Sequence, residues 1–209
     1  ERDATVRMMR REALAMRQLS HPNIVQILGV VLDQPTYVAL LMELADLWDD
    51  LAVSAHRCVV ITGAGDRGFC SGADVSGDLS AEPELAARIN KALLKNHVFP
   101  KPVVAAVNGD CVAGGVELIL SSDIRFAAPH ARFGLPEVRL SIYPFGGATV
   151  KLVHQIGYVH AMKLLLGAEL IDAEAALGID LINKIVPADR LMEAALAMAE
   201  TIAANSPSA

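Results

Sequence analysis

Apolar residues recur at three- and four-residue steps over residues 3–19. Val6, Met9, Ala13, Met16 and Leu19 fall on one face, and this spacing predicts a helix. Ser20-His21-Pro22-Asn23 ends it, because proline disfavours helical backbone in the residue before it. Two apolar runs follow, 24–32 (IVQILGVVL) and 36–43 (TYVALLME), which read as two strands around Asp33-Gln34-Pro35. A rival parse makes 38–52 one helix with Leu40, Leu44, Leu47 and Leu51 on one face, and the two readings exclude each other over 38–43. From residue 57 strands and helices alternate. RCVVIT (57–62) reads as a buried strand and 84–99 as an amphipathic helix; Pro100 and Pro102 frame a strand at 103–107. A loop with Gly109 leads to Ala113-Gly114-Gly115 and a helix, VELILSS, then a short strand at 124–128. Helices are expected at 157–167, 172–178 and 188–205, the first two closed by glycine, with Asp172 and Asp189 as candidate caps. The sequence shows no internal repeat, and the alternation predicts an α/β fold.

Composition narrows the function. Apolar residues make up 53 % of the 209 and aromatics only 4 %, so the core must be built from Ala, Val, Ile and Leu. Such a chain is expected to bury part of its surface against copies of itself. A net charge of −6 argues against nucleic acid as a partner; the basic cluster Arg2, Arg7, Arg10, Arg11 and Arg17 reads as a solvated helix face. No membrane is expected as a partner either, since Glu43 and Asp46 interrupt the best apolar run. No secretory pattern is seen. Cys58, Cys70 and Cys111 are odd in number and widely spaced, which fits neither a disulfide framework nor a zinc site and points to a reducing cytoplasm. His154 and His160 lack i, i+4 spacing, so no metal is expected.

Gly63, Gly65 and Gly68 spell G-x-G-x-x-G, the pattern of a dinucleotide loop. That loop needs a helix opening at the third glycine, but Phe69-Cys70-Ser71-Gly72 follows, and Glu82 and Glu84, which flank Pro83, end no second strand. Ser71 is not framed as G-x-S-x-G, so it is no nucleophile elbow. Glycine also lets backbone approach a ligand closely. Ala113-Gly114-Gly115 opens a helix whose first N–H groups lack intrahelical partners and sit at the positive end of the dipole. Two such amides from separate loops, aimed at one carbonyl oxygen, would form an oxyanion hole.

Three blocks carry a resemblance. VAAVNGDCVAGGVELILSSDI (104–124), GFCSGADV (68–75) and FGLPEVRLSIYPFGGA (133–148) resemble, in that order, the conserved segments of the crotonase, or enoyl-CoA hydratase/isomerase, family, over residues 45–209. The resemblance implies a spiral of ββα units, a homotrimer or dimer of trimers, and an acyl-CoA thioester as substrate with no separate cofactor. It implies oxyanion donors at Ala73 and Gly114. A CoA and substrate surface would involve Phe69, Ser71, Gly72, Ala73, Asp74, Val75, Ser76, Gly109, Gly114 and Gly115. Members that hydrate a double bond use two glutamates, which map to Glu117 and Glu137. One would deprotonate water while the other, protonated, delivers a proton to the α-carbon. The implied function is hydration of 2-enoyl-CoA; an enoyl-CoA isomerase, or an impaired chimeric chain serving as an assembly module, is the alternative.

Blander readings stand beside these. Without the three blocks Glu117 reads as an exposed helix acid, a preference the motif reverses; Glu137 could be a solvated loop residue, Gly114 and Gly115 aids to tight helix packing, and Asp123 a structural cap or pairing partner. Asp74 suits an Asx-type loop, and Cys70 and Cys111 suit small buried filler. Residues 12–44 resemble a different family, the protein-kinase N-lobe from the αC helix to the hinge, with Glu12 as the αC glutamate and HPNIV as the most specific piece. The glycine-rich loop, partner lysine, catalytic loop and Asp-Phe-Gly are missing, so kinase activity is not expected. The sequence thus divides into a kinase-like helix-strand-strand fragment, 1–43, and a crotonase-like core, 44–209, truncated at both ends, with a seam between about 30 and 45. Ser76 stands where hydratases often have lysine, and Pro144-Phe145-Gly146-Gly147 replaces the usual Pro-Gly-Gly-Gly run.

Overall fold

The computed structural model describes residues 24–29, 37–65, 68–72 and 83–206. The expected helix at 3–19, with Glu12, lies outside them. So do Ala73, Asp74, Val75 and Ser76.

Two sheets organise the chain. The first has five parallel strands in the order β1 (Ile24–Gly29), β2 (Cys58–Gly63), β4 (Val103–Val107), β6 (Ile124–Ala127), β9 (Lys184–Ile185). The second has four short strands in the order β3 (Gly68–Cys70), β5 (Asp110–Val112), β7 (Arg132–Gly134), β8 (Ile171–Asp172), the last antiparallel. Each pass of the chain gives one strand to each sheet and then a helix. β2 and β3 precede α2 (Pro83–Ala92), and β4 and β5 precede α3 (Gly114–Ile119). β6 and β7 precede a 3₁₀ turn (Pro136–Leu140) and α4 (Ala148–Ile156). This is a spiral of ββα units, repeated in structure without a repeat in sequence. α1 (Tyr37–Val53) precedes β2, and α5 (Tyr158–Gly167), α6 (Ala173–Gly178) and α7 (Leu191–Ala204) complete the chain.

β2 and β4 are buried along their whole length, as parallel strands covered on both faces must be, and this is why they read as continuous apolar runs. Ala105 and Ala106 keep β4 thin between the layers packed on it. One core joins Val59, Val103 and Val107 to Phe133, Leu135 and Leu152; a second, around Val60 and Val104, is covered by Leu191, Ala195 and Ala199 of α7. Trp48 of α1 is fully buried, packs against Phe99 with ring centroids 4.8 Å apart and planes tilted by 57°, and donates its indole N–H to the Ala92 carbonyl at 3.0 Å. That anchor fixes α1 against the end of α2.

Several expectations need correction. Residues 37–43 are not a second strand: α1 takes 37–53, the rival parse, and runs unbroken through residues 43 and 44. β1 is paired with β2, so the first sheet already includes residues before 43. The helix expected at 84–99 stops at Ala92, and Leu94 adopts φ 50°, a left-handed turn that ends it. Asp172 caps α6 as expected, accepting from the Ala175 amide at 2.8 Å. Asp189 does not cap α7; it sits in a 3₁₀ turn, and Arg190 precedes the helix without a side-chain cap.

The G-x-G-x-x-G glycines serve packing. A Cβ on Gly63 would lie 2.2 Å from the Gly68 carbonyl and 2.6 Å from Asn108 Oδ1. Asn108 clamps this turn: its Oδ1 accepts from the Gly63 amide at 2.9 Å, and its Nδ2 donates to the carbonyls of Gly63 and Gly65 at 3.1 and 2.8 Å. A strand, β3, follows Gly68 where a dinucleotide loop needs a helix. Asn108→Ala is expected to destabilise the chain by about 1–3 kcal/mol, seen as a lowered urea midpoint at unchanged slope.

Candidate active site

β3, β5 and β7 are adjacent and parallel, paired through Cys70↔Cys111 and Val112↔Gly134. Their carboxyl ends therefore point the same way, and crevices at such ends are the usual ligand sites of α/β sheets. The three sequence blocks leave from these ends: Ser71-Gly72 after β3, Ala113-Gly114 after β5, Leu135 to Glu137 after β7. The Ala113 amide donates to the Gly134 carbonyl at 2.9 Å and ties two of them together.

Ala113 has φ 52° and ψ −121°, a conformation an L-residue rarely holds, directly before α3. It turns the chain so that Gly114 opens the helix. Gly72, buried with φ +92°, lies against this turn. A Cβ there would meet Ala113 Cβ at 2.6 Å and the Gly114 nitrogen at 3.1 Å. The structure thus brings the residue before Ala73 beside Gly114. Gly115 has the packing role: a Cβ would lie 2.3 Å from the Cys70 carbonyl. Phe69 is a core residue, its ring buried with Cys111 and Phe133. Ser71 is exposed and Gly109 is buried in the bend between β4 and β5.

Both glutamates are inside the protein, and the solvated readings are overturned. Glu117 is 3 % exposed and Glu137 is 7 % exposed. Glu117 Oε1 accepts from the Ala148 amide, the first of α4, at 3.2 Å. The carboxylate thus lies at a helix N-terminus, where the dipole favours negative charge. A Cβ on Gly146 would lie 2.5 Å from both Glu117 Oε2 and Leu93 Cδ1, so only glycine lets this loop close over the acid. Burial pushes the Glu117 carboxyl up to about 7. The backbone hydrogen bond from Ala148 opposes this, the Glu137 charge adds to it, and Gly146 and Lys95 pull it down. Burial also raises Glu137, against a hydrogen bond from its own amide. Its Oε2 is buried with no hydrogen-bond partner in the protein. An orphaned carboxyl oxygen in a native interior calls for a ligand or water opposite it.

Gly146 and Ala148 were not singled out in the sequence as holders of Glu117. The signal was present, since Gly146-Gly147 directly before an amphipathic run marks a helix N-terminus that can take an anion. Among the described residues no group of three or more His, Cys, Asp or Glu could hold a metal, and no helix is long and apolar enough to cross a membrane.

Two buried glutamates, one on the helix that Gly114 opens and one in the 3₁₀ turn after β7, thus lie within the ββα spiral. The chain belongs to the enoyl-CoA hydratase/isomerase family, whose model matches residues 29–209. It is 40 % identical over 158 residues to Enoyl-CoA hydratase EchA19 of Mycobacterium tuberculosis, covering 72 % of this chain and 59 % of that protein. It is 37 % identical over 173 residues to 2,3-dehydroadipyl-CoA hydratase of Escherichia coli, covering 81 % and 67 %. The crystal structure of an enoyl-CoA hydratase from Bacillus anthracis superposes with a TM-score of 0.81 at 33 % identity, over 90 % of this chain and 76 % of that one. The family match begins within the segment that resembles a kinase lobe, and α1 is helical where that likeness requires a strand. The kinase likeness therefore gains no support from residue 29 onward.

Proposed function

We propose that the chain adds water across the double bond of a 2-enoyl-CoA. The observation that carries this is the buried pair, Glu117 held by backbone amides on the helix that Gly114 opens and Glu137 with an unshared oxygen. The amide donors favour ionised Glu117, which takes a proton from water as its oxygen attacks the β-carbon. Glu137, whose Oε2 no group of the protein holds, delivers a proton to the α-carbon. Negative charge building on the thioester oxygen is taken up by the amides of Gly114 and Ala73, the residue after Gly72. Atoms balance: water supplies the hydroxyl, the dyad exchanges one proton for another, and the carboxyls reset by proton transfer between them. Relatives named as hydratases support the reading. The test is loss of the conjugated enone absorbance of a short 2-enoyl-CoA; a folded chain that binds CoA without turnover sinks it.

We further propose self-association as a trimer. Leu140, Tyr143, Tyr158, Val159, Leu166 and Leu170 are exposed apolar side chains on the 3₁₀ turn and around α5, which pack together. Light scattering is expected to give three times the 22.2 kDa chain mass, or a multiple of that. A monodisperse monomer would overturn this. Cys58 and Cys111 are buried thiols outside any disulfide, and burial raises the Cys58 thiol to about 11, which supports a reducing, cytoplasmic setting.

A further inference from the structure

Behind Glu117 lies a knot of hydrogen bonds that the acid–base chemistry leaves unused. Ser121, one turn beyond Glu117, has its hydroxyl 2.7 Å from the Leu93 carbonyl and 3.2 Å from the Glu117 carbonyl. Lys151 Nζ donates to Ser121 Oγ at 2.5 Å and approaches the Leu94 carbonyl at 3.4 Å. Lys151 belongs to the first turn of α4, and its own amide donates to Gly147 at 2.9 Å. A Cβ on Gly147 would touch Lys151 Cε at 3.5 Å and Lys95 Cγ at 3.8 Å. One cation therefore ties the start of α4, whose Ala148 amide holds Glu117, to α3 and to the turn after α2.

We propose that Lys151 is a positioning residue for Glu117: anchored on Ser121 and Leu94, it fixes the first turn of α4, whose Ala148 amide holds the carboxylate, against the turns that follow α2 and α3. The groups around the pair are Glu137 and Lys95 on the Glu117 side and Arg125 on the Lys151 side. His97, Lys101 and Asp123 share with Lys151 a cavity of about 190 Å³. Burial holds the Lys151 ammonium below its usual range, while the Glu117 charge pushes it back up. A half-buried lysine whose donors bind a hydroxyl and a carbonyl, with a carboxylate as the nearby counter-charge, suits electrostatic support better than surface solubility.

The inference rests on Glu117 being the base, but its test uses no substrate. The full chain is labelled with ¹³C at the glutamate side-chain carboxyl and titrated by NMR, the Glu117 signal being the one lost in Glu117→Gln. Lys151→Met is expected to move the Glu117 midpoint upward by on the order of one unit, and Lys151→Arg to restore most of it. Should Lys151→Met not fold, Ser121→Ala, which removes the anchor and keeps the charge, is expected to give a smaller upward shift. An unmoved midpoint in whichever variant folds overturns the proposal, as do equal shifts in Lys151→Met and Lys151→Arg. A shifted midpoint in a chain without hydratase turnover would support the positioning role and overturn the proposed function. With turnover present, Lys151→Met lowers kcat about tenfold at unchanged KM, as weakened general-base catalysis requires.

Discussion

Glu117→Gln is expected to lower hydration turnover by about 10²–10⁴-fold, the usual worth of a general base, while the chain stays folded. Glutamine keeps the side-chain shape and an oxygen for the Ala148 amide, but cannot take a proton from water. In the native chain the Glu117 carboxyl sits at about 7. The base is ionised above that value and protonated below it, so kcat/KM is expected to fall as pH drops through 7. The stability effect has the opposite sense. Burial raises Glu117 in the folded state above its unfolded value of 4.5, so the folded chain holds this proton more tightly. Stability from this group is full below pH 4.5 and declines as pH rises to about 7. Glu117→Gln is therefore expected to be more stable than the native chain above pH 7, by up to about 3 kcal/mol. Urea titration at pH 5 and pH 8 checks this. A variant less stable at pH 8, or one that turns over normally, would remove the assigned role.

Gly72→Ala is expected to lower kcat by about 10²–10³-fold through misplaced amide donors. An L-residue at φ +92° is strained, and the added methyl would lie 2.6 Å from Ala113 Cβ, inside any permitted contact. Relief requires the turn before Gly114 to move away from Gly72, which would displace the proposed donor at Gly114. Gly178→Ala is the control. Gly178 has open space around the Cβ position and no left-handed backbone, so alanine there is expected to leave turnover unchanged. Circular dichroism of both variants, followed by the enone assay, separates a local geometric loss from unfolding. Equal turnover in the two would show that Gly72 does not set the site.

The elements that carry the candidate site were legible in part because they are written in short local patterns. β4 fell where Pro100 and Pro102 framed VVAAV, and α6 began where Asp172 offered a cap. Glu117 and Gly114 share one helix start, which the glycines announce. The strands of the second sheet were not legible. Three residues, as in β3, β5 and β7, give no alternation to detect, and they exist because neighbours of the spiral pair with them. α1 was read two ways because an almost unbroken apolar run, TYVALLME, carries neither period cleanly. Burial of both glutamates was also hidden. Sequence gives their spacing, but only the close approach of Gly146 to Glu117 shows that the chain folds over the acid.

The parallel order of the large sheet has a consequence for how the chain reaches its final form. No two neighbouring strands in it can be joined by a hairpin. Ile24 must find Cys58, Val59 must find Val103, and Phe126 must find Lys184, each across tens of intervening residues. Closing such long loops costs entropy before any contact repays it, so nascent chains should assemble slowly and expose Val- and Ala-rich edges meanwhile. During synthesis the growing polypeptide is then a natural client for molecular chaperones, long before its catalytic acids meet.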